Sequence, residues 1–127
     1  MPITRVLVPV DFSPPSSVAV NHAVLLARRF RAKLTLLHVL EPGPALMYAF
    51  PTESEIAERQ RFEQAERMLA AILSPEDQDD LDLETAVVIG DIGSEIASAV
   101  RQRHADVVVM GTHGRGVVGR WLIGSVT

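Results

Sequence analysis

The sequence contains no cysteine, which excludes disulfides, thiolate metal sites and thiol nucleophiles. It has no apolar run approaching the roughly twenty residues of a membrane-spanning helix, so no membrane partner is expected. It also lacks a basic excess. Twelve lysines and arginines stand against 16 aspartates and glutamates, for a formal charge of −4, whereas a general nucleic-acid surface needs a basic stripe. No segment repeats or falls into low complexity, and no His/Asp/Glu cluster has metal-ligand spacing. The amino terminus takes on strand character by Ile3 without a signal-peptide pattern, so a cytoplasmic location is the default expectation. What is present is ordinary globular composition, 47% hydrophobic and 22% charged over 127 residues. That length suits a single domain, 1–127, with a real core.

Strand and helix signals alternate along the chain. Ile3–Val10 is a compact apolar strand, and Ser13 is placed to cap a helix whose first turn tolerates Pro14 and Pro15. That helix runs to about Arg31, with Ala19, Ala23, Leu26 and Phe30 on one face. Lys33–Leu40 is a second strand and Glu41–Pro51 a loop. A capping box, Thr52-x-x-Glu55, opens a second helix with Ile56, Ala65, Leu69, Ile72 and Leu73 at core spacing. Ser74–Asp82 reads as an acidic, solvated turn and Leu83–Ile89 as a third strand. Ser94 can cap a third helix that turns Ile96, Ala97 and Val100 inward, and Ala105–Met110 is a fourth, β-branched strand. The alternation predicts an α/β fold, an open parallel sheet with helices on both faces. Ligands of such sheets sit beyond the carboxyl ends of the strands, where the strand order reverses.

The segment after the fourth strand carries the chemistry. Glycines at a strand end allow close backbone approach, and unpaired N–H groups at a helix start attract anions, so this segment points to phosphate binding. Three glycine patterns compete. Gly114-x-Gly116-x-x-Gly119 satisfies a dinucleotide fingerprint formally, but it begins three residues past the strand and no acidic residue follows about twenty positions on. Gly119 to Gly124-Ser125 approximates a P-loop without its lysine. The third pattern is Gly111-x2-Gly114-x9-Gly124-Ser125, with a possible helix start at Gly124-Ser125.

That third spacing, on a strand ending Val108-Val109-Met110-Gly111-Thr112-His113-Gly114, resembles the nucleotide-binding motif of the universal stress protein family. Arg5 to Ser13, with Pro9-Val10-Asp11 at its strand end, resembles the first strand of the same family. The resemblance spans the chain in order and implies a Rossmann-like sheet of strand order 3-2-1-4, with ATP held between strands one and four. It implies that Asp11 binds the ribose hydroxyls or seats the base, and that Pro9 and Val10 offer backbone atoms and apolar walls. The backbone of Val39 would recognise the adenine edge, and Met110 would pack on base or sugar. Gly111, Gly114, Gly124 and Ser125 would hold the phosphates, with His113 lining them and Val126 and Thr127 closing the motif. Family members continue past Gly-Ser-x-Thr with a helix and a fifth strand that often makes the dimer contact. This sequence does not reach them, so the usual fifth strand is expected to be absent, although a homodimer remains the expectation.

Each of these residues has a plainer role open to it. The glycines could be turn residues, Ser125 a helix cap, Asp11 a partner of a helix dipole, and Val39 and Met110 core packing. No acid or nucleophile is spaced to organise His113, so no catalytic residue is expected and hydrolysis would be slow at most. Mg²⁺ or Mn²⁺ would be held only through the nucleotide's phosphates. Two function classes therefore remain: an ATP-binding stress-response regulator, and a nucleotide-independent interaction or dimerisation module of the same fold.

Overall fold

The structure, a computed structural model, describes residues 2–42, 51–111 and 121–125. Strand β1 (Arg5–Pro9) leads through helix α1 (Pro14–Phe30) to β2 (Lys33–Leu40). Helices α2 (Pro51–Ala70) and α3 (Pro75–Asp80) precede β3 (Asp82–Ile89). Helix α4 (Ile92–Arg103), β4 (Val107–Gly111) and β5 (Trp121–Ser125) follow. The strands make one sheet in the order β3-β2-β1-β4-β5. Its first four strands are parallel, which is the expected 3-2-1-4 arrangement.

Strands buried on both faces explain the continuous apolar runs. On one face Val6, Val8 and Leu36 pack with Ala19 and Ala23 of α1 and with Leu69 of α2. On the other, Leu7, Leu37 and Val108 pack with Ala99 and Ala105 at α4. Leu7, Leu34, Leu36 and Leu37 are fully buried, and each such side chain contributes roughly 1.5–3 kcal/mol of hydrophobic stabilisation. Helix α1 begins as its sequence dictates: the Ser13 hydroxyl accepts from the Ser16 N–H at 3.3 Å, and Pro14 and Pro15 occupy the turn that needs no N–H donors. It ends at Arg31 in the left-handed region, φ 53°.

Several local expectations are corrected. Phe30, the last residue of α1, is 43% exposed and Ile56 57% exposed, so neither joins the core. Ala97 is exposed while Ala99 is the buried alanine of α4. The cap of α4 is Asp91, whose carboxylate accepts from the Ser94 N–H at 3.0 Å. The acidic turn contains α3, capped by Ser74, with Asp77 and Asp80 paired to Arg28 of α1. Helix α2 begins at Pro51, one residue before Thr52. Residues 43–50 of the expected loop lie outside the described residues.

The largest correction is at the carboxyl end. Gly124-Ser125 does not start a helix, and a fifth strand is present: β5 pairs antiparallel with β4 from Gly111↔Trp121 to Val107↔Ser125. The outer edge of β4 offers a row of N–H and C=O groups, and Trp121-Leu122-Ile123 is strand-forming chemistry, so the ladder satisfies both.

Asp106 ties the starts of β1 and β4 together. Its Oδ2 accepts from the Thr4 hydroxyl at 2.6 Å, the Thr4 N–H at 2.8 Å and the Arg5 N–H at 2.9 Å. The Thr4 side-chain bond foremost, then the two backbone bonds, hold its carboxyl below the usual carboxylate range. A lowered folded-state pKa means that the unfolded chain binds more protons in acid. The contribution is therefore complete above about pH 4 and is lost as pH falls through the folded value. Asp106→Asn should flatten the dependence of stability on pH below about 4, as read by urea unfolding across that range. An unchanged acid slope would remove Asp106 from this role.

Candidate functional site

The strand order reverses between β1 and β4, and this is where the sheet opens. Their ladder has two pairs, Val6↔Val107 and Leu7↔Val108, and Pro9 has no N–H with which to extend it. Beyond these pairs a cavity of about 210 Å³ lies at the carboxyl ends of the strands. Pro9, Val10 and Asp11 border it from β1, and Met110 and Gly111 from β4. Leu37, His38 and Val39 contribute from β2, Ser16 from α1, and Ile92 and Ile96 from α4.

Six residues singled out in the sequence, Pro9, Val10, Asp11, Val39, Met110 and Gly111, thus meet around one cavity. His113, Gly114, Val126 and Thr127 lie outside the described residues. Gly124 and Ser125 are not brought to the cavity. They pair with Val108 and Val107 near the amino end of β4, across the sheet from its mouth. Ser16, Leu37, His38, Ile92 and Ile96 are additions. Ile92 and Ile96 stand four apart at the start of α4, a spacing that puts both on one helix face.

The loop from β1 to α1 is held by its own polar groups. Asp11 Oδ1 accepts from the Ser13 N–H at 3.0 Å and from the Ser13 hydroxyl. The Asp11 N–H donates to the buried Ser16 hydroxyl at 3.2 Å. These bonds leave α1 without an anion site at its start. Pro14 and Pro15 lack N–H groups, the Ser16 N–H donates to the Ser13 side chain and the Ser17 N–H to the Ser13 carbonyl. A pyrophosphate seated on the first helix, as in dinucleotide folds, has no donors here.

The glycine at the end of β4 has a packing reason of its own. A Cβ on Gly111 would lie 2.5 Å from the carbonyl carbon and oxygen of Pro15 and 2.8 Å from the Ser16 nitrogen. Only glycine lets the strand end pass the first turn of α1 at this separation.

Among the described residues no lysine or arginine lines the cavity. Its walls are aliphatic, its polar groups are Asp11, Ser16, the His38 segment and main chain, and its volume is small for a whole nucleotide. Such a site suits an uncharged flat heterocycle. A larger hollow, about 370 Å³, lies at the opposite, amino end of the strands beside Arg5, Lys33 and Arg103. There the Glu84 carboxylate accepts from Arg103 Nε at 2.8 Å, and this bond, ahead of other influences, holds the Glu84 carboxyl below its ordinary range. Its cations already face a carboxylate and its position is wrong for a sheet of this type, so the smaller cavity is the better candidate. Among the described residues no three His, Asp or Glu side chains converge to hold a metal ion, and no helix is long and apolar enough to cross a membrane.

Comparison with known proteins agrees with this geometry. The universal stress protein family model matches residues 2–127. Universal stress protein A of Photorhabdus laumondii is 32% identical over 114 residues, covering 89% of this chain and 78% of that protein. A universal stress protein structure from Burkholderia pseudomallei is 25% identical, with TM-score 0.70 over 90% of this chain and 85% of that one. A universal stress protein in complex with cAMP shares the fold at 22% identity and TM-score 0.54, over 85% of this chain and 72% of that one. A matching family model over almost the whole length, on a 3-2-1-4 sheet with its cavity at the switch point, leaves one conclusion: the chain belongs to the universal stress protein family.

Proposed function

We propose that this chain binds an adenine nucleotide, ATP, as a ligand that regulates it. The base would lie among Val39, Ile92, Ile96 and Met110, with the ribose at Asp11. The observation that carries this reading is the meeting of Pro9–Asp11, Val39 and Met110–Gly111 around one largely apolar cavity at the switch point. The start of α1 has no N–H to spare, so the phosphates would run onto the segment after Gly111, with Gly114 and His113 against them. Mg²⁺ or Mn²⁺ would be held by phosphate oxygens and water. A nucleotide in a related fold, cAMP in the complex above, supports the class of ligand. We read the chain as a cytoplasmic stress-response regulator that acts as a homodimer and hydrolyses ATP slowly at most, because no acid or nucleophile is spaced in the sequence to organise His113.

Calorimetric titration tests this. ATP with Mg²⁺ should bind saturably, whereas NAD should bind far more weakly because the dinucleotide pyrophosphate finds no donors at α1. Equal affinity for NAD, or no heat with ATP, would overturn the assignment. The second of these results would favour the nucleotide-independent interaction module.

A further inference from the structure

The β1–β2 ladder ends beside His38. In a parallel pair each N–H and C=O of one residue points to one neighbour strand, and the next residue points to the other. Val10 faces His38 in register, one step beyond Pro9↔Leu37. The Val10 N–H donates to the Leu37 carbonyl at 2.7 Å, so Leu37 and, two residues on, Val39 both turn their main-chain groups toward β1. The next ladder bond would run from the Val39 N–H to the Val10 carbonyl. That carbonyl is instead bonded to His38 Nδ1 at 2.6 Å. On the other side the Gly90 N–H donates to the Leu40 carbonyl at 2.9 Å, consistent with this alternation.

The ring is held where it can do this. Phe12 packs on it with ring centroids 4.6 Å apart. Phe12 itself takes φ +65°, a left-handed conformation that a bulky residue adopts only when its surroundings impose it. Among the described residues the Val39 N–H makes no ladder bond to Val10, and Val39 borders the cavity.

We propose that His38 is a positioning residue for base recognition: by occupying the Val10 carbonyl it ends the ladder one bond early and reserves the Val39 N–H and C=O for the ligand. This rests on the adenine-nucleotide reading above. A donor beside an acceptor complements the N1 acceptor and N6 donor of adenine. Hypoxanthine and guanine present the reverse, an N1 donor and an O6 acceptor. His38 therefore acts on selectivity through Val10 and Val39.

Two variants and two readouts test this. His38→Leu removes the ring nitrogen, whereas His38→Asn can place its amide N–H near the position of Nδ1. Without nucleotide, the Val39 amide of the parent should exchange rapidly with solvent. In His38→Leu it should become protected as it takes the Val10 carbonyl. ATP affinity should fall about tenfold in His38→Leu, the preference for ATP over ITP should shrink by a similar factor, and His38→Asn should restore both. The proposal is overturned if the Val39 amide of the parent is already protected without nucleotide, or if His38→Leu keeps the parent's ATP/ITP ratio. It is equally overturned if His38→Asn fails to restore that ratio while folding normally. Should His38→Leu not fold, exchange in the parent and the ratio in His38→Asn still decide it. Failure of the nucleotide reading looks different: the parent binds neither ATP nor ITP, while the Val39 exchange pattern still reports on His38.

Discussion

Gly111→Ala should lower stability by about 3 kcal/mol and the melting temperature by about 10 °C. The added Cβ meets the Pro15 carbonyl and the Ser16 nitrogen at 2.5–2.8 Å, all backbone atoms, so no side-chain rotation relieves the clash. The opposing turn cannot yield cheaply either. Two prolines fix its dihedrals, and Ser13 and Asp11 tie it down. Relief must come from moving β4 away from α1. That shift displaces Met110 and Gly111 on one wall of the cavity against Ser16 on another, so ligand affinity should fall with stability. Gly93→Ala is the control: its nearest neighbour would be the Asp91 carboxylate at an ordinary 3.7 Å. In the first turn of α4 alanine should leave stability unchanged or raise it by a few tenths of a kcal/mol to about 1 kcal/mol. Thermal unfolding of the two variants side by side separates the close approach from any general cost of replacing glycine. A Gly111→Ala protein as stable as Gly93→Ala would show that the strand end and helix do not meet as described.

Val39→Trp should abolish nucleotide binding while leaving the fold intact. The side chain of Val39 lies on the α4 face, packed beside Leu37 and Ala99, and borders the cavity. An indole there would occupy the space proposed for the base. ATP affinity should drop at least about a hundredfold, about 2.7 kcal/mol. Because the cavity is already open, the larger side chain fills space without displacing core atoms, and stability should change by less than about 1.5 kcal/mol. Calorimetry and thermal unfolding on one preparation check both halves. Binding within threefold of the parent would place the base elsewhere.

The two halves of this site differed in how plainly the sequence announced them. Pro9, Val10 and Asp11, and likewise Met110 and Gly111, end apolar runs, and ligand sites in open parallel sheets gather at strand ends. Those residues could be named before any coordinates. Their adjacency came from the family resemblance, because periodicity identifies strands without ordering them. Ser16 was hidden behind its position in a capped helix turn. His38 was hidden because a side chain bonded to a main-chain carbonyl leaves no pattern in sequence. The start of α4 was misread because Asp91 and Ser94 are both capping residue types three positions apart, and the earlier one prevails by accepting the N–H of the later. Gly124-Ser125 was misread for a different reason. A Gly-Ser pair marks a helix start only when the residues before it are spent elsewhere, and here Trp121-Leu122-Ile123 carry the chain along the open edge of β4 as a strand.

The central claim is that the cavity at the carboxyl ends of β1, β2 and β4 holds the adenine ring. The most direct test is a residue-resolved NMR titration with ATP and Mg²⁺, following the amides of Val10, Asp11, Val39 and Gly111 and the methyl groups of Ile92, Ile96 and Met110. Saturable shifts at these positions, with nuclear Overhauser contacts from the adenine H2 and H8 protons to the Ile96 and Met110 methyls, are the predicted result. Saturable shifts centred instead on Lys33, Glu84 and Arg103, at the amino end of the sheet, would contradict the claim.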